Sequence, residues 1–125
     1  MRKENCPFCE KIKNKDYVLK VRDFYILEDA YPVTPGHKLV VSDRHIESFY
    51  ALDQDELHQL GYVIEMATLQ QADADGFNIG FNEGEAAGKT VPHFHIHIIP
   101  RSFGDTEEPT GGVRNVIPGK GSYEK

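Results

Sequence analysis

Along His93-Phe94-His95-Ile96-His97-Ile98-Ile99, polar and apolar residues alternate. A period of two marks a strand with one buried face. Phe94, Ile96 and Ile98 are expected in a core, with His93, His95 and His97 in a row on the opposite face, about 7 Å apart. Shorter β-rich runs at Tyr17–Val21 and Phe24–Glu28, separated by Arg22-Asp23, predict a hairpin. His37–Ser42 predicts a third strand and Phe77–Asn82 a fourth. Helical spacing is sustained once, where Leu57, Leu60, Val63, Ile64 and Ala67 form an apolar stripe. Asp53, with Glu56 three residues on, is a capping-box start, and Gly76 is the expected stop of a helix reaching Asp75. His58 lies off the stripe and reads as a solvated side chain.

Loops account for the remainder. Residues 29–36 contain Pro32, Pro35 and Gly36, which makes a rigid connection, and residues 83–91 contain Gly84 and Gly88. Residues 6–15 read as a knuckle followed by a short helical turn. The expected fold class is therefore α+β: an antiparallel five-stranded sheet, one long helix and one short helix. That domain would span residues 1–103. Residues 104–125 hold five glycines and two prolines, which predicts an extended tail. Because the tail also carries Val113, Val116, Ile117 and Tyr123, it is expected to pack on this subunit or on a partner.

Composition narrows the function classes. A chain of 125 residues, 39% hydrophobic and 27% charged, can form one core without staples. No apolar run approaches the ~20 residues of a membrane span, and no secretory apolar region follows Met1, so a cytoplasmic, membrane-free protein is expected. Net charge is −6, and residues 45–88 contain nine acidic residues without a Lys or Arg. Such a field repels long DNA or RNA. A small anion can still bind where local donors outweigh it, and Lys89 and Arg101 flank the histidine row in sequence.

Three chemistries suit the row. His-x-His on a strand can bind a catalytic zinc with a third ligand from elsewhere. A neutral imidazole can instead attack phosphorus, with its neighbours donating to phosphoryl oxygens. Alternatively one row member can join Cys6 and Cys9 in a structural zinc site. Cys6-Pro-Phe-Cys9 is a weak signal alone, but with His45 and His93 it supplies a Cys₂His₂ set with no open position. A structural disulfide is disfavoured in a cytosolic chain, and a redox Cys-x-x-Cys belongs in a βαβ unit, which this pattern lacks.

The strand His93–Ile99 resembles the His-φ-His-φ-His-φ-φ motif (φ hydrophobic) of the histidine triad (HIT) family of nucleotide hydrolases and transferases. Supporting similarities lie at Cys6–Cys9, at Pro32-Val-Thr-Pro-Gly-His37-Lys-Leu-Val-Val41, and at His45, Asn82 and Gly88-Lys-Thr-Val91. The resemblance implies that His95 is a nucleophile forming a nucleotidyl-histidine, that His97 donates to phosphate oxygens and the leaving group, and that His37 supports His97. It implies substrate contacts from Asp29 to the ribose and from Asn82, Lys89 and Thr90 around the phosphates. It also implies a structural zinc on Cys6, Cys9, His45 and His93, and a two-fold homodimer through the long helix and the following strand. Asn82 is similar to the nucleoside phosphoramidase branch. His97-Ile-Ile-Pro-Arg101 and Lys89 favour the dinucleoside polyphosphate branch, whose substrate can carry Mg²⁺. The expected ligand is a purine nucleotide, with adenosine preferred. The alternatives are phosphoramidate hydrolysis and a nucleotide-binding regulatory module with little turnover.

Overall fold

The computed structural model describes residues 3–123. Seven regular elements follow in chain order: α1 (Pro7–Lys13), β1 (Leu19–Val21), β2 (Phe24–Glu28), β3 (Lys38–Ser42), α2 (Gln54–Leu69), β4 (Gly76–Gly80) and β5 (His95–Arg101). Short 3-10 turns lie at Phe49–Ala51, Glu85–Ala87 and Gly112–Val116. All strand pairs are antiparallel, in the order β1-β2-β3-β5-β4. The α+β expectation therefore holds, with five strands, one long helix and one short one. No described helix is long and apolar enough to cross a membrane.

Each face of the sheet has its own core. On one face Phe24, Ile26, Val40, Phe94, Ile96 and Ile98 pack with Val63 and Ala67 of α2. On the other, Tyr25, Leu27, Leu39 and Val41 pack with Cys6, Phe8, Cys9 and Ile12 around α1. Strand alternation produces this division. It leaves His95 and His97, opposite Val41 and Leu39 in the register, on the α1 face.

Several boundaries and one stripe differ from the sequence expectation. The last strand begins at His95, so His93 lies in the bend before it. The Phe94 amide bonds the Ile46 carbonyl, which carries the chain from that bend into the strand. The helix ends at Leu69, short of Asp75, because Ala67 is its last buried residue; polar turns follow over residues 70–73. Gly76 opens β4 instead of stopping the helix, and β4 ends at Gly80, so Phe81 and Asn82 belong to the loop. Along α2 the buried positions are Glu56, Gln59, Val63 and Ala67, while Leu57 is 38% exposed and Leu60 and Ile64 only partly covered.

The two buried polar residues of α2 are satisfied. Glu56 completes the capping box with Asp53 and accepts from Arg44 Nε and Nη2 at 3.0 and 2.6 Å. Arg44 holds the Glu56 carboxyl below its ordinary pKa. Gln59 Nε2 donates to Asp23 Oδ2 at 2.7 Å, and Gln59 Oε1 accepts the Asp23 amide at 2.9 Å. These bonds fix the β1–β2 turn, where Arg22 adopts a positive φ of 54°.

Candidate active site and metal centre

The histidines of the α1 face are wired so that hydrogen bonds assign their tautomers. Val33 N–H donates to His37 Nδ1 at 3.1 Å, so the proton of neutral His37 sits on Nε2. That Nε2 lies 3.0 Å from His97 Nδ1 and 3.3 Å from Asp29 Oδ2. His97 Nδ1 therefore accepts, and the His97 proton is on Nε2. Asp29, just past β2, is held by its own turn: Oδ1 accepts the Tyr31 amide at 2.8 Å. On His95, Nδ1–H donates to the His93 carbonyl at 2.7 Å, which leaves the lone pair on Nε2.

The result is one imidazole with a free lone pair beside another that presents an N–H. Their ring centroids lie 5.2 Å apart. Burial pushes the pKa values of His95, His97 and His37 below the ordinary value; at His97 the neighbouring His37 adds to this, and at His37 the Asp29 carboxylate partly opposes it. Neutral rings are thus favoured, the state needed for a nitrogen nucleophile. The Phe8 ring packs edge-on against His95 at 4.9 Å and against His93 at 5.8 Å.

His93 faces a different task. Its Nε2–H donates to the Ser42 carbonyl at 2.7 Å, so Nδ1 carries the lone pair. That Nδ1 lies 3.3 Å from Cys6 Sγ, 3.5 Å from Cys9 Sγ and 3.2 Å from His45 Nδ1; Cys9 Sγ to His45 Nδ1 is 3.4 Å. Zn–N bonds of ~2.0–2.1 Å and Zn–S bonds of ~2.3 Å in a tetrahedron separate ligand atoms by about 3.3–3.8 Å, close to these spacings. Four soft or borderline donors, three of them fully buried residues, form a closed set. Nε2 of His45 is buried with no partner, so its acceptor tautomer is not enforced as it is at His93.

The four expected metal ligands thus meet, as do Asp29, His37 and His97. His93 leaves the row for the cysteine cluster, and its carbonyl accepts from His95 Nδ1. Asn82 lines a cavity of about 570 Å³ with His37 and His97. Lys89 and Thr90 line a separate cavity of about 410 Å³, with Glu47, Glu83 and Glu85. Sequence reasoning missed the Val33 amide and the Ser42 carbonyl, for a physical reason: both act through the backbone, which leaves no mark on residue type. Phe8 did carry a signal, as the aromatic between two cysteines.

Residues 10–104 match the HIT domain. The chain belongs to the HIT family. It is 41% identical over 118 residues to an uncharacterised HIT-like protein of Methanocaldococcus jannaschii, covering 89% of this chain and 91% of that one. It is also 39% identical over 82 residues to the asymmetrical bis(5'-nucleosyl)-tetraphosphatase of Schizosaccharomyces pombe, covering 62% of this chain and 44% of that one. A hypothetical histidine triad nucleotide-binding protein of Sulfolobus tokodaii superposes with a TM-score of 0.74 at 35% identity, over 82% of this chain and 73% of that one. A zinc-bound histidine triad protein of Mycobacterium smegmatis gives 0.72 at 29% identity, over 83% and 80%. In this HIT protein the α1 knuckle and the histidine strand therefore belong to a fold seen with zinc in a relative.

Proposed function

We propose that this HIT protein hydrolyses an adenosine nucleotide, a dinucleoside polyphosphate foremost, at its α-phosphate through a nucleotidyl-His95 intermediate. The observation that carries the reading is the His95 Nδ1–H bond to the His93 carbonyl, which fixes the lone pair on Nε2. That lone pair attacks the α-phosphorus while the bond from phosphorus to the leaving oxygen breaks. The leaving oxygen takes the electron pair of that bond and accepts a hydrogen bond from His97 Nε2–H. Water then attacks the α-phosphorus, His95 Nε2 departs with the electron pair of the N–P bond, and the proton of the water passes to solvent as the nucleoside monophosphate is released. His37 keeps His97 in the donating tautomer. Asp29 receives the ribose, Asn82 lies toward the phosphates, and Lys89 and Thr90 extend the contact to a longer phosphate chain, which brings its own Mg²⁺. Similarity to the Schizosaccharomyces pombe tetraphosphatase supports the polyphosphate class.

Zinc is the group that Cys6, Cys9, His45 and His93 are suited to hold, and bound there it supplies a crosslink between α1 and the sheet. The remaining elements of the proposal are a homodimer, built through α2 and β4, and action on the small-nucleotide pool of the cytoplasm. The test is covalent capture. After rapid acid quench with a labelled dinucleoside polyphosphate, the wild type is expected to carry label on a histidine. His95→Ala should carry none and turn over several orders of magnitude more slowly. Retention of even a tenth of the activity by His95→Ala would falsify the mechanism.

A further inference from the structure

The cavity beside His97 continues past His37, His97 and Asn82 into an apolar region that the proposed reaction leaves unused. Val33, Phe81, Ile99, Val113 and Val116 supply its apolar lining, and Asn78 and Asn82 its amides. Apart from His37 and His97, no ionisable side chain lines it. Val33, Val113 and Val116 are 72%, 63% and 78% exposed, an uncovered apolar wall next to the reacting residues. A phosphate chain is held by Lys, Arg or clustered N–H donors, and here it would find neither cation.

The tail that forms this wall is built, not draped. Gly111 and Gly112 turn the chain back with φ of 96° and 49°, and a side chain at Gly111 would strike the Gly121 carbonyl. Arg114 Nε donates to that carbonyl at 3.2 Å, while its guanidinium lies 4.2 Å from the centre of the Tyr123 ring. At the base of the tail Arg101 is clamped by Asp105 at 2.6 and 2.7 Å and by Asn78 Oδ1 at 2.7 Å.

We infer that the cavity between β4, β5 and Gly112–Val116 is a leaving-group subsite that takes the second nucleobase of a dinucleoside polyphosphate. A flat ring with an apolar face and hydrogen-bonding edges matches valines, a phenylalanine and the Asn78 amide. About 570 Å³ is within the range of pockets that enclose small molecules. Asp29 and the cavity of Lys11, Tyr17 and Ala30 beside it lie elsewhere around the histidines, so the two ends of a dinucleoside need not compete for one place. The inference rests on the hydrolase reading above and adds to it what the leaving group must carry.

The test compares diadenosine tetraphosphate with adenosine 5'-tetraphosphate, which share the attacked phosphate and differ in the second nucleoside. Val113→Ser with Val116→Ser removes apolar contact without adding charge. The ratio of kcat/KM for the dinucleoside over the mononucleotide is expected to exceed one in the wild type. It should fall about tenfold in the double variant, chiefly through KM. A ratio that stays put overturns the inference, as does a variant whose only change is weaker subunit association in sedimentation. Val116→Trp gives a second readout independent of turnover, since the chain has no other Trp. Its emission should be quenched by diadenosine tetraphosphate and not by adenosine 5'-tetraphosphate; equal quenching overturns the subsite. A wild type that turns over neither nucleotide, while this selective quenching remains, refutes the hydrolase reading and leaves the subsite standing.

Discussion

His37 is 3% exposed, and burial, outweighing the Asp29 carboxylate beside it, favours its neutral form. Its folded pKa lies below the unfolded 6.5. Below that value the unfolded chain binds a proton that the folded ring resists, so stability falls as pH drops. Above it both states are neutral and the group contributes no pH dependence. His97 acts in the same direction. The melting temperature is therefore expected to decline between pH 6.5 and 5, and the decline should be shallower in His37→Gln, which cannot charge. Cluster residues also titrate in acid, so the comparison is the difference between the two proteins at each pH. Equal slopes would contradict a neutral buried His37.

At the scale of elements, α2 separates what a hydrophobic pattern conveys from what a fold uses. Helical spacing located the helix and its Asp53 cap correctly, because both signals are local. It placed Leu57 in the core, whereas the turn toward the sheet buries Glu56 and Gln59, whose partners Arg44 and Asp23 lie on other segments. No window of sequence around a buried Glu records a distant Arg. Glu56→Ala should cost about 1–3 kcal/mol, combining a lost cap with loss of the Arg44 pair. Leu57→Ala should cost under about 1 kcal/mol, since its side chain already meets solvent. Denaturant unfolding of both variants checks the order, and the reverse order would restore Leu57 to the core. The candidate site divides in the same way. Strand period placed His95 and His97 on one face, and the resemblance assembled the cysteine cluster. The departure of His93 from the row depended on the Ile46 and Ser42 carbonyls, which no side-chain pattern encodes.

For the whole molecule, the cysteine cluster joins the N-terminal α1 to residues 45 and 93, and so fastens the second core. Purified protein is expected to hold about one zinc per chain and to sediment as a dimer. Cys6→Ser with Cys9→Ser should lower the melting temperature more than it lowers the turnover of molecules that remain folded. Metal-free protein with both thiols freely titratable would refute the zinc, and a monomer at micromolar concentration would refute the pairing.

Strand order also sets a timetable. β5, made after the other four strands, inserts between β3 and β4, which are not paired with each other in the sheet. A nascent chain ending before Phe94 holds unpaired edges on β3 and β4, and its α2 lacks the packing of Phe94, Ile96 and Ile98. The pairing that closes the sheet joins residues 38–41 to 95–98, a long-range contact of the kind that slows folding. His95 and His97 are carried by the strand that closes the sheet. During synthesis, a half-made copy of this protein has no His95–His97 pair until the strand that closes the sheet has been made.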